Sequence, residues 1–316
     1  EFLTSNLNLV VSSLDRTLVW RGIQGMVKTF KLKSTPNVYP DFLIKNISNE
    51  DQPMVIESVL QTAGVVVETY IPDSKSEQVC SQLFEMLYGL IIKEKREHLV
   101  PILLISLFKF LHTDNHVRQA VEWLNAGYIL DKNGDKVEGA SLSDSHKHSI
   151  VQSIHSKSFY DAKQKTEFLE QVLGDDNSDV GINLRLSCEA LLPSSESKEK
   201  VWNQIINPES GLSSYEKAAY MEYFFNRDSA EFLVPYYKKY VDHVKKCANI
   251  GDRNYVHQFI DLTCPIFGYD DEFLQSLKDI VNEFSEDIKY ESYCRTVRKI
   301  IGTLEMNKKV KDYALS

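Results

Sequence analysis

The sequence predicts an all-α chain: a superhelical solenoid of about fifteen antiparallel helices in HEAT-like pairs, with a concave face. Three observations carry that prediction. Glycine (13) and proline (9) are scarce for 316 residues, whereas a β-sandwich or barrel of this length needs many of both to turn its strands. Apolar residues recur at steps of three and four almost everywhere, the period of an amphipathic helix. Helix-length segments follow one another across short loops, with no heptad persisting through several of them, which favours stacked helix pairs over a coiled coil. The repeat lies in helix length alone, since no fixed residue recurs at a fixed period.

The first helix carries Leu14, Leu18, Val19, Ile23, Met26, Val27 and Phe30 on one stripe, capped by Ser12 or Ser13. The second is expected to begin near Thr35-Pro36, a capping hydroxyl followed by proline at the first helical position, with Val38, Phe42, Leu43 and Ile47 inward. A third runs from Asp51-Gln52-Pro53 through Val55, Val59, Ala63, Val66 and Val67 to Tyr70, where Pro72 stops it. Helices follow over 77–95, 97–111 and 114–128. Residues 131–139, Asp-Lys-Asn-Gly-Asp-Lys-Val-Glu-Gly, read as the one long loop. The chain is therefore expected to be a single helical domain over 1–316, with halves 1–130 and 140–316. The second half reads as helices near 143–156, 160–173, 177–191, 197–206, 213–224, 228–246, 253–266, 271–284 and 290–306, with a short tail.

Composition excludes several classes of function. The chain has 36 Lys and Arg against 45 Asp and Glu, a net charge of −9, and phosphate backbones call for a concentrated basic footprint instead. A nucleic-acid partner is therefore not expected. A hydrophobic content of 43%, with 3 Trp, 16 Tyr and 15 Phe, suffices for a large core and excludes wholesale disorder. The most apolar stretch, residues 99–111, is broken by Lys109 and too short to span a bilayer. The start, Glu1-Phe2-Leu3-Thr4-Ser5-Asn6, lacks the basic region and cleavage site of a signal peptide and reads as chain already inside a domain, a piece of something longer. Cys80, Cys188, Cys247, Cys264 and Cys294 are odd in number and never spaced as C-x-x-C; they read as buried free thiols of a reducing, cytoplasmic compartment.

No motif supplies catalytic machinery. His112-Thr113-Asp114-Asn115-His116 has the two-histidine spacing of a zinc helix, but Thr113 stands where the glutamate base belongs. The junction reads as solvated histidines between helices. Asp131, Asn133 and Asp135 imitate the first three ligands of an EF-hand, yet Lys136 replaces its glycine and Leu142 its bidentate glutamate, so a polar turn is expected. His146 and His148, two apart, diverge by about 200° on a helix and cannot chelate one ion. Arg295, Arg298 and Lys299, with Lys308, Lys309 and Lys311, form a basic cluster that reads as a solvated helix face; an anion contact is its functional alternative. No catalytic, cofactor-binding or metal-ligating residue is assigned to this chain.

Several local patterns resemble the C-terminal helical domain of zinc aminopeptidases of the aminopeptidase N and puromycin-sensitive type. They are residues 14–28 around Trp20 and Met26-Val27-Lys28; the helix end at Asn46-Ile47-Ser48-Asn49-Glu50 before Met54-Val55-Ile56; and the turn Asp176-Asn177-Ser178-Asp179-Val180-Gly181. Pro193 with Lys198 and Trp202, and Phe224-Phe225-Asn226-Arg227 before Pro235-Tyr236 and Tyr240, continue the match in order. The resemblance implies a parent enzyme that removes N-terminal residues from peptides, with zinc held by a His-Glu-x-x-His element in an upstream catalytic domain. None of that element occurs in these 316 residues, so no zinc ligand, base or transition-state group carries over. What it implies for this chain is a helical bowl that packs on the catalytic domain, encloses the peptide in a concave cavity and limits access. Such a domain is expected to expose an unusually apolar face near its N-terminal helices. The alternatives are a stand-alone HEAT-like protein-binding scaffold, and an independent enzyme with a site built from distant residues.

Overall fold

The computed structural model describes residues 6–28, 38–94, 96 and 98–315. The expected helix start at Thr35-Pro36, and Phe30, Lys95 and Glu97, lie outside them. Among the described residues there are fifteen α-helices and one β-hairpin. Helices α1 (Ser13–Lys28), α2 (Val38–Asn46), α3 (Pro53–Val65), α4 (Asp73–Lys93), α5 (Val100–Lys109) and α6 (Asp114–Ala126) precede strands β1 (Tyr128–Leu130) and β2 (Lys136–Ser141). Then come α7 (Asp144–Ser156), α8 (Ala162–Leu173), α9 (Asp179–Leu191), α10 (Ser195–Ile206), α11 (Ser214–Phe224), α12 (Ala230–Cys247), α13 (Arg253–Leu262), α14 (Asp271–Phe284) and α15 (Glu291–Leu315). Two compact units emerge, the first of residues 1–150 and 308–316, the second of 151–307.

Within each unit, alternate helices stack. In unit 1, α1 packs on α3 and α3 on α5, while α2 packs on α4. In unit 2, α9, α11 and α13 form one stack and α10, α12 and α14 the other, with α10 also touching α9 and α11. This is how helix pairs bury faces that none could bury alone. The all-α prediction therefore holds, apart from the one β-hairpin.

The caps are as the sequence suggests. Thr113, Ser178, Ser194, Ser213, Asp252 and Asp270 each accept a backbone N–H in the first turn of the helix they begin. Asp161 with Gln164, and Ser213 with Glu216, close reciprocal capping boxes. Helix α3 runs into a π-helical turn at Val66–Tyr70 before Pro72 ends the segment. Gly181 is required by close approach, since a Cβ there would stand 2.6 Å from the Asp176 carbonyl oxygen.

Three expectations need correction. Residues 131–139 are not one long loop: they hold the turn and most of the second strand of an antiparallel hairpin, with Tyr128 opposite Ser141 and Leu130 opposite Lys136. Gly139 adopts φ +72°, and the pairing register shifts between its two ends. The buried pair Val137 and Ala140 is thus three apart, which hides the period of two that marks a strand. Helix α15 continues to Leu315 rather than stopping at Met306, because Leu304, Asn307 and Val310 keep one buried face going. Helix α13 ends at Leu262, ahead of Pro265.

The core of unit 2 is aromatic and centres on Trp202. Its ring lies 5.4 Å from Phe224, 5.5 Å from Tyr236 and 6.0 Å from Phe259, centre to centre, at tilted or edge-on angles that suit ring quadrupoles. His243 joins this cluster, and burial pulls its pKa down to about 4, so it packs as a neutral ring near pH 7.

Candidate functional site

Helix α1 has two faces, and the structure buries Ile23 as apolar spacing suggests but turns Leu14 and Leu18 the other way. Its buried face carries Arg16, Trp20, Ile23 and Gln24. Arg16 donates from Nε to Glu50 Oε1 at 2.6 Å, from one terminal nitrogen to the Val10 and Val11 carbonyls at 3.2 and 2.9 Å, and from the other to Asp51 Oδ1 at 2.9 Å. That planar fork holds the entry to α1 against the junction of α2 and α3. Trp20 seats edge-on against Phe42 at 4.5 Å. Leu14 and Leu18, read from the sequence as core, are turned outward and are 67% and 57% exposed. With Leu9 (67%) and Val11 (93%), which precede the helix, they make an exposed apolar ridge along residues 9–18. Single exposed leucines are ordinary; several on one helix face mark a surface that expects a partner.

The other candidates from the sequence resolve as packing or surface. His116 is buried rather than solvated: its ring stacks on Phe84 at 3.9 Å, and its Nε2 lies 3.3 Å from Glu85. Burial holds its pKa below the usual imidazole value. His112 is half-buried at the same junction. Asp131 accepts the N–H groups of Asn133 and Asp135 at 2.8 and 2.9 Å, the polar turn expected there. His146 is buried against Phe108 and accepts the Ser143 N–H at 3.1 Å through Nδ1. Of the basic cluster, Arg295 pairs with Glu291, Lys299 with Asp261 and Lys311 with Asp73. All five cysteines are buried and none is in a disulfide, and burial pushes the Cys247 and Cys264 thiols up to about 12.

Among the described residues no three His, Cys, Asp or Glu side chains are grouped to hold a metal ion, so the donor set that zinc requires is not offered by them. No helix of the described residues is long and apolar enough to cross a membrane.

Unit 2 buries cations on backbone carbonyls. Lys198 is fully buried, its Nζ donating to the carbonyls of Ala190 at 2.5 Å and Phe224 at 3.0 Å, in the last turns of α9 and α11. Lys217 does the same for Asn207 at 2.7 Å, just past the end of α10. Helix C-termini leave acceptors unsatisfied and carry partial negative charge, so one lysine answers both needs. Two cavities flank the α12–α13 turn. One, of about 380 Å³, contains Lys217, Tyr255 and Asp252, each already engaged. The other, of about 430 Å³, has Arg253, Lys289 and His257 on its walls.

The model of the ERAP1-like C-terminal domain family matches residues 1–305. The chain belongs to that family. It is thus a C-terminal domain of an aminopeptidase-family protein. No curated protein gives a significant match. The apolar ridge was within reach of the sequence, since residues 14 and 18 compete with 16 and 20 for the inward position, but hydrophobicity alone picks the wrong pair. The cavity beside Arg253 and Lys289 brings together separate elements and left no signal in local spacing.

Proposed function

We propose that this domain is the substrate-enclosing, non-catalytic part of a zinc metallo-aminopeptidase that removes N-terminal residues from peptides. Zinc and the chemistry sit in an upstream catalytic domain of the parent, and the ridge of Leu9, Val11, Leu14 and Leu18 is the surface on which that domain docks. The exposed ridge is the observation that carries this reading, because burying those side chains recovers about 1.5–3 kcal/mol each. Once docked, the domain helps to enclose the peptide, excludes bulk water and restricts which substrates reach the metal. Five buried cysteines that form no disulfide support a reducing, cytoplasmic setting.

The test uses the two halves of the parent expressed separately. Leu14→Asp with Leu18→Asp leaves the melting of the 316-residue chain nearly unchanged, since both residues are solvent-facing. It weakens association with the catalytic half by about a hundredfold or more, from the lost burial of two leucines. Equal association of wild type and double variant, measured by calorimetry, would remove the ridge from the interface.

A further inference from the structure

The cavity of about 430 Å³ lies between the α12–α13 turn and the start of α15, within the range of about 300–1,000 Å³ usual for small-ligand pockets. Its floor is apolar and aromatic. Cys247, Val256 and Tyr293 are buried there, and the Tyr293 hydroxyl is already donated to the Val244 carbonyl at 2.7 Å. Its rim is cationic, with Arg253 on α13 and Lys289 on the 3₁₀ turn Ile288–Tyr290. Among the described residues no Asp or Glu lines it.

Asn249, Arg253 and Lys289 bring side-chain donors to this wall. Asn249 Oδ1 accepts the Tyr290 hydroxyl at 3.3 Å, which leaves its amide NH₂ to donate. His257 is held by Thr296 at 2.8 Å and more loosely by Ser292 at 3.5 Å. Lys289 shares its charge with Asp287 at 3.3 Å, both side chains well exposed, so that pair is weak and Lys289 can turn to a better partner. Asp252, which caps α13, accepts the Tyr255 N–H at 3.1 Å. Arg253 is exposed, and it is the strongest anion donor on the rim, since its fork matches a carboxylate or phosphate in two bonds.

We propose that this cavity binds a small organic anion with an aromatic or apolar body: Arg253, Lys289 and Asn249 take a carboxylate or phosphate head, and Val256, Tyr290 and Tyr293 take the body. The inference is independent of the docking ridge, which lies in unit 1.

Isothermal titration of the 316-residue chain tests it with four probes: phenyl phosphate, phenylacetate, inorganic phosphate and benzyl alcohol. Saturable one-to-one binding of phenyl phosphate or phenylacetate is expected, tighter than either the head or the body alone, and which of the two binds better identifies the head group. Arg253→Ala with Lys289→Ala weakens it by about tenfold or more, the loss of charge-assisted hydrogen bonds. Arg298→Ala, an exposed cation elsewhere on α15, leaves it unchanged. Both substitutions fall on exposed side chains, and circular dichroism checks that the fold survives. Absence of saturable binding, inorganic phosphate or benzyl alcohol binding as tightly as the aryl anions, or an equal loss in R298A overturns the proposal.

Discussion

Glu50→Ala destabilises the chain by about 3 kcal/mol or more, read as a lower urea midpoint at unchanged slope. Glu50 is 1% exposed and lies 2.6 Å from the Arg16 Nε, in the buried root of α1. Removing it leaves the buried guanidinium two backbone carbonyls and, as an acid, Asp51, a residue 54% exposed and therefore a weak substitute. Breaking one side of a buried ion pair costs more than replacing the pair, because the remaining charge keeps its desolvation penalty. Arg16→Met with Glu50→Met is therefore expected to recover much of the loss. Since Arg16 also anchors the Val10 and Val11 carbonyls, E50A loosens the base of the apolar ridge and weakens docking as well. A change within about 0.5 kcal/mol, the scale of an ordinary surface substitution, would show that the network is not what sets α1.

Lys198→Met is the second large effect, about 2–4 kcal/mol, because it fills the space but leaves the Ala190 and Phe224 carbonyls buried without a donor. It also has a pH signature. Burial pulls the Lys198 ammonium down to about 7, against about 10.4 in the unfolded chain. Between those values the unfolded state holds the extra proton, so stability rises with pH through that window, while below about 7 the penalty is complete and constant. The methionine variant lacks this titration. The gap between wild type and K198M should therefore widen from about pH 7 to about pH 10, on the order of a few kcal/mol over the whole window. Parallel urea midpoints for the two proteins across that range would contradict the assignment.

Much of this molecule is legible in its sequence, because helix period and caps are local signals. Ser213 caps a helix at the expected boundary, and Phe42, Leu43 and Ile47 are buried as their spacing requires. The errors arise where a residue's role depends on what lies across from it. Leu14 and Leu18 look like core by hydrophobicity, but Arg16 and Trp20 find Glu50 and Phe42 on neighbouring helices and take the inward face instead. His116 looks like a surface residue at a helix junction until Phe84 supplies a ring to stack on. Lys198 stands out in the sequence only through the family pattern; nothing local reveals two helix ends converging on its ammonium. The cavity beside Arg253 and Lys289 is a product of tertiary packing and has no local signature.

The central claim is that this domain governs access and performs no chemistry. Its most direct test is the hydrolysis of a peptide series of increasing length by the separately expressed catalytic half, with and without the 316-residue chain added. The account predicts no hydrolysis by the 316-residue chain alone, and a length profile of the catalytic half that narrows when the chain is added. Chelator-sensitive release of N-terminal residues by the chain alone, or a length profile indifferent to its presence, would contradict it.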